Sequence, residues 1–102
     1  MARKTWTHAR TERLTRPEAQ AGYDLARASY EFGQHVRERR LEAGMTQQDL
    51  AEKLSTSQPA IARLEAGGTQ PRLQTILALS AALGVDWSIG QGGVGVVLGR
   101  AS

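Results

Sequence analysis

Cysteine is absent from the 102 residues. That excludes a disulfide scaffold, Cys-ligated zinc, an iron–sulfur cluster and a thiol nucleophile. Imidazole is scarce too: only His8 and His35 supply it, and no metal-like grouping surrounds either. No Ser-His-Asp set is present. Glu12, Glu18 and Asp24 are six residues apart, which does not bring two carboxylates onto one helical face as a paired acid and base. The glycines of 90–99 lack the G-x-G-x-x-G order and the strand-turn-helix setting of a phosphate cradle. Long apolar runs are missing, since the stretch from Ile76 to Val85 is about half a membrane span. No apolar run follows MARKTW, so the start is not a secretory signal. The expectation is a single-domain cytoplasmic protein that is not an enzyme, with no catalytic residue, metal ligand, cofactor or membrane partner.

What charge there is sits unevenly. Thirteen Lys/Arg against ten Asp/Glu give +3. Residues 1–16 carry +4, while residues 17–84 carry −1. The excess positive charge therefore belongs to the N-terminal arm and not to the body. Such an arm suits phosphate or an acidic partner, and equally a solvated terminus.

Residues 1–14 show no sustained periodicity and read as that basic arm. Thr15-Arg16-Pro17-Glu18 fits a capping box with Pro in the first turn. It predicts an N-terminal helix from about Arg16 to Arg27, in the segment 15–29, carrying Ala19, Tyr23 and Ala26, with Tyr30 next on the same stripe just beyond it. Phe32, Val36, Arg40 and Ala43 then form a stripe at spacings of four and three, ended by Gly44. Thr46 to Asp49 is a second cap, opening a short helix with Leu50, Ala51 and Leu54 inward. Ser57 caps a helix from Gln58 to Ala66, with Pro59 in its first turn and Ile61 and Leu64 inward. A last helix from Leu73 to Leu83 carries Leu73, Ile76, Leu77, Leu79, Ala82 and Leu83 and stops at Gly84. The predicted fold is all-α, a compact five-helix bundle. After it come a short strand pattern, Val85 to Ile89, and a Gly-rich tail, most of which falls in residues 86–102. That tail reads either as flexible chain or as a weak strand that pairs with another chain.

Two helices of about eight residues separated by a three- to four-residue turn make a helix-turn-helix plan. The second helix leaves Gln58, Pro59, Ala62 and Arg63 on the face opposite Ile61 and Leu64. Gln matches adenine N6 and N7, and Arg matches guanine O6 and N7 in the major groove. Ala62 and Pro59 offer small contacts for a thymine methyl. Gln70 and Arg72, just beyond Gly67-Gly68, are within reach of the DNA backbone. Arg40, on an otherwise apolar stripe, calls for a partner because an unpaired buried charge is costly.

Arg40…Ala43-Gly44-Met45-Thr46-Gln47…Leu50-Ala51 and Ser57-Gln58…Ile61…Leu64-Glu65…Gly67, with the helix from Leu73 to Leu83, closely resemble the XRE/Cro-C1 helix-turn-helix family. The resemblance covers residues 30–85 and implies a lambda repressor-like DNA-binding domain. It also implies that the helix opened by Gln58 enters the major groove and that Gln47 contacts a phosphate. Arg40 and Glu65 would form a buried ion pair tying the first helix to the recognition helix. Pro59 stands where the family commonly has a polar residue.

Upstream, Pro17-Glu18…Tyr23-Asp24…Ala28…Tyr30 resembles antitoxins of the HigA type. That resemblance implies a homodimer that represses its own operon on double-stranded operator DNA and neutralises a small basic RNase toxin of the HigB/RelE class. Pro17, Tyr23, Leu25 and Tyr30 would then face the toxin. The alternative is a stand-alone XRE-type repressor, which needs no helix before Tyr30.

Overall fold

The computed structural model describes residues 2–90 and 92–97, with side chains described from residue 22 onward. Four helices and one hairpin follow in order: α1 Ala2–Glu42, α2 Gln47–Lys53, α3 Gln58–Glu65, α4 Leu73–Leu83, β1 Asp86–Gly90 and β2 Gly93–Val97. The mostly helical architecture and the helix-turn-helix agree with the sequence reading; the count of five helices does not. The arm, the N-terminal helix and the Phe32–Arg40 stripe are all parts of α1. Ala28-Ser29-Tyr30-Glu31 contains neither Gly nor Pro, so nothing at the expected junction stops helix propagation. Arg27 and Glu31 also pair across it at 3.7 Å, four residues apart. Pro17, read as a first-turn proline, falls inside α1.

The core sits where the helices meet. Phe32 and Val36 of α1, Leu50 and Ala51 of α2, Ile61 and Leu64 of α3, and Leu79 of α4 form one buried cluster. Each large side chain there contributes about 1.5–3 kcal/mol of transfer free energy. Ala43, expected on the buried stripe, is exposed, as are Leu73 and Leu77 of α4. The caps at Thr46 and Ser57 form as read, whereas Thr15, read as the cap of a separate helix, lies inside α1. Thr46 and Asp49 close a reciprocal capping box, both bonds 2.9 Å. The Ser57 hydroxyl accepts from the Ala60 N–H at 3.3 Å. Gly84 ends α4 at φ 69°, a left-handed conformation in which a side chain would be strained.

The Gly-rich segment resolves in favour of strand, but paired within the chain. β1 and β2 are antiparallel, with Asp86↔Val97, Trp87↔Val96, Ser88↔Gly95, Ile89↔Val94 and Gly90↔Gly93 as partners. A lone two-stranded hairpin is marginal in water, and here the rest of the fold holds it. Glu31 Oε1 accepts from the Val94 N–H at 3.0 Å, and His35 Nε2 donates to the Val94 carbonyl at 2.9 Å. Trp87 packs edge-on against Phe32, ring centroids 4.8 Å apart, and donates through Nε1 to the Ile76 carbonyl at 3.1 Å. Among the described residues no helix is long and apolar enough to cross a membrane.

Candidate nucleic-acid interface

α3 is seated on α1 by backbone. A Cβ at Gly33, in the C-terminal third of α1, would collide with the Leu64 and Glu65 carbonyl oxygens at the end of α3. Only a glycine lets the two helices approach this closely. At the exit of α3, Gly67 has φ 79°, and a Cβ there would stand 2.8 Å from the Tyr30 Cα. With Ile61 and Leu64 turned into the core, the opposite face of α3 is available. Pro59 and Arg63 are exposed there, and Gln58 and Ala62 are half-buried beside them.

Behind this face runs a chain of polar contacts. Arg40 and Glu65 are both buried, at 6% and 3% exposure. Arg40 Nε donates to Glu65 Oε2 at 2.6 Å, Nη2 donates to Oε1 at 3.1 Å, and Nη1 donates to the Met45 carbonyl at 2.8 Å. The hydrogen bond to Glu65 raises the Arg40 pKa above its ordinary value, keeping the guanidinium charged. Glu65 Oε1 also accepts from Gln47 Nε2 at 3.0 Å, and Gln47 Oε1 accepts from Gln58 Nε2 at 2.6 Å.

The chemistry of these groups sets their orientation. An ionised carboxylate only accepts, so the Gln47 amide must turn its NH₂ to Glu65 and its oxygen to Gln58. Gln58 must in turn offer its NH₂ to Gln47. It retains one N–H and its carbonyl oxygen, the pair that matches adenine N7 and N6. Gln47 likewise keeps a second N–H for an external acceptor.

The residues expected from sequence separate into three places. Arg40, Glu65, Gln47 and Gln58 form the polar chain just described. Arg63, Gln70 and Arg72 line one groove between α3 and the start of α4, with Thr56 and Thr69. Pro59 and Ala62 lie on the α3 face between them. Of the residues expected to meet a protein partner, the Pro17 side chain lies outside the described residues. Tyr23, Leu25 and Tyr30 are exposed at 63%, 47% and 55%. They do not share a face: Tyr23 and Tyr30 are seven residues apart on one side, and Leu25 lines a cleft with Ala28, Phe32 and Ile89. Glu31, His35 and Trp87, which anchor the hairpin, were not singled out from sequence. The signal available was Glu31 and His35 at i, i+4 immediately beside the Phe32–Val36 stripe.

Among the described residues no three His, Asp or Glu side chains are grouped to hold a metal ion. Residues 36–89 match the helix-turn-helix family HTH_3, a span that runs from Val36 of α1 to Ile89 of β1. The structure is similar to that of the restriction-modification controller protein C.AhdI from Aeromonas hydrophila. The TM-score is 0.57 and the identity 31%, and the match covers 60% of this chain and 88% of that one.

Proposed function

Because this chain belongs to the XRE-type helix-turn-helix family, whose members are DNA-binding regulators and not enzymes, we propose that it is a homodimeric transcription regulator that represses its own operon. Its operator is a short inverted repeat in duplex DNA. Each protomer lays α3 in a major groove, the half-sites about 34–36 Å apart or a multiple of that. The observation that carries this reading is the polar chain from Arg40 through Glu65 and Gln47 to Gln58, which pre-orients an amide on the exposed face of α3. Gln58 and Arg63 read bases, Ala62 and Pro59 meet thymine methyls, and Gln47, Gln70 and Arg72 contact phosphates. The body carries −1 over residues 17–84, so phosphate contacts are few and the salt dependence is modest for a DNA binder. C.AhdI is a restriction-modification controller, and likeness over most of its length supports a controller-type duty here, with no toxin partner required.

A second reading, an antitoxin of the HigA type, is favoured by one observation. α1 begins at Ala2, well before the family match starts at Val36. It carries exposed Tyr23, Leu25 and Tyr30 outside the matched span. In that division of labour residues 30–85 bind DNA, residues 15–29 with the arm at 1–14 hold a small basic toxin, and residues 86–102 serve assembly.

The decisive experiment is selection of bound duplexes from a random pool, followed by anisotropy titration of Arg63→Ala. The variant should lose about 1–3 kcal/mol on the selected site and relax preference at one base pair. An equal loss on every sequence would reject base reading by Arg63. Co-purification with the neighbouring gene product then separates the two readings: a stoichiometric toxic partner means antitoxin, a lone dimer means controller.

A further inference from the structure

The two edges of the hairpin differ. Val94 gives its N–H to Glu31 and its carbonyl to His35, so both groups point away from β1. In an antiparallel pair whose one member points outward, the other does as well. Ile89, the partner of Val94, therefore directs its N–H and C=O away from β2, and so does Trp87, two residues back. On the β2 side α1 covers this outward pair. On the β1 side no other described residue hydrogen-bonds to the backbone of Trp87 or Ile89. The open edge carries none of the usual guards against pairing, having no proline, no lysine and no bulge between residues 87 and 90.

The surface continues onto α4. β1 runs back along α4, with Ser80 donating to the Val85 carbonyl and Trp87 donating to the Ile76 carbonyl. At 100° per residue, Leu73 and Leu77 lie about 60° further round α4 than Ile76 and Ser80. That direction leads away from the core and past β1. Leu73 is 72% exposed, Leu77 63% and Ile89 56%. No charged residue occurs anywhere in α4.

We infer that the open edge of β1 is where a second copy of this chain pairs, giving a four-stranded antiparallel sheet ordered β2-β1-β1-β2 across a two-fold axis at Ser88. The register is self-complementary. Trp87 faces the partner's Ile89 and Ile89 faces the partner's Trp87, exchanging four backbone hydrogen bonds. Ser88 meets the partner's Ser88 without crowding. Asp86 falls opposite the partner's Gly90, so no like charges oppose each other across the axis. The same operator brings the Leu73–Leu77 stripes of both copies beside the new sheet. This specifies the dimer on which the DNA reading above rests.

Full-length protein is to be compared with Ile89→Pro and Ile89→Ala by sedimentation equilibrium. Because the Ile89 N–H points away from β2, proline there leaves the intramolecular ladder intact. It removes two of the four intermolecular bonds, raising the dimer dissociation constant on the order of 30-fold. Ile89→Ala, which keeps the N–H, should shift it much less. In the wild-type dimer, hydrogen exchange should find the Trp87 and Ile89 amides protected in a concentration-dependent way. This readout holds even if Ile89→Pro disturbs the hairpin. A monomeric wild-type protein, or a dimer whose Trp87 and Ile89 amides exchange freely, overturns the proposal. Protection that appears only with a different co-purified protein also overturns it and assigns the edge to that partner. Binding to a single DNA half-site should be the same for wild type and Ile89→Pro. If wild type binds no DNA while its edge amides are protected, the DNA reading fails and the edge pairing stands.

Discussion

Replacing Glu65 with glutamine preserves the volume of the side chain and removes its charge. In the wild-type protein the carboxylate accepts three hydrogen bonds, two from Arg40 at 2.6 and 3.1 Å and one from Gln47 at 3.0 Å. Glutamine has one acceptor oxygen, and its NH₂ would face at least one donor. Arg40, 6% exposed and held charged, would then lack its counter-ion. Breaking a buried pair from one side costs about 3–5 kcal/mol, a large part of the 5–15 kcal/mol that holds an ordinary domain. With a urea m-value of about 1–3 kcal/mol/M, the unfolding midpoint should fall on the order of 2 M. Arg40→Met with Glu65→Leu removes both charges and fills the space, so the double variant should regain most of that loss. Urea unfolding of wild type, Arg40→Met, Glu65→Leu, Glu65→Gln and the double variant checks this. A Glu65→Gln loss below about 1 kcal/mol, or a double variant as unstable as the sum of its two single changes, would refute the coupling.

Gly33→Ala sets two effects against each other. Helix propensity alone predicts a gain of about 1 kcal/mol, but the added Cβ meets the Leu64 and Glu65 carbonyls. Forced repacking of that kind costs about 1–3 kcal/mol, so thermal unfolding should show a net loss. A stabilised Gly33→Ala would disprove the close seat of α3 on α1. Asp49 has its pKa lowered below the ordinary 3.8, chiefly by the Thr46 backbone N–H and then by the Thr46 hydroxyl. A group so depressed contributes stability fully above its unfolded pKa and loses it as pH falls through the folded value. Exchange of the Thr46 amide should therefore accelerate in wild type as pH drops below about 4, after correction for intrinsic rates. Asp49→Ala should show no such step.

The parts of this fold written in short-range chemistry were legible in the sequence. Thr46 with Asp49 and Ser57 with Ala60 are contacts within one turn, and the residue types name them. The buried pair of Arg40 and Glu65 was legible through family resemblance, and a charge on an apolar stripe gave it a physical reason. The junction in α1 was misread because a boundary of resemblance at Tyr30 stood in for a boundary of structure, although no helix breaker lies there. The hairpin was half read. Glycines at 90, 92, 93 and 95 erase the alternation that marks a strand, and its anchors on α1 lie 59 and 63 residues away from Val94. Gln47 and Gln58 were each singled out, one for phosphate and one for base. Their mutual hydrogen bond joins the first residues of two helices, a relation that no local pattern carries.

The contact at Gly33 bears on how this protein can change. Where the end of α3 rests on α1, backbone meets backbone and no side-chain rotamer intervenes. The pose of α3 is thus set without the outward side chains of Pro59, Ala62 and Arg63. Under the proposed function, Pro59, Ala62 and Arg63 can be exchanged for other residues, retargeting the protein to a new operator, while the angle and depth at which α3 is presented are inherited unaltered; Gln58, bonded to Gln47, is the outward position that is not free to vary.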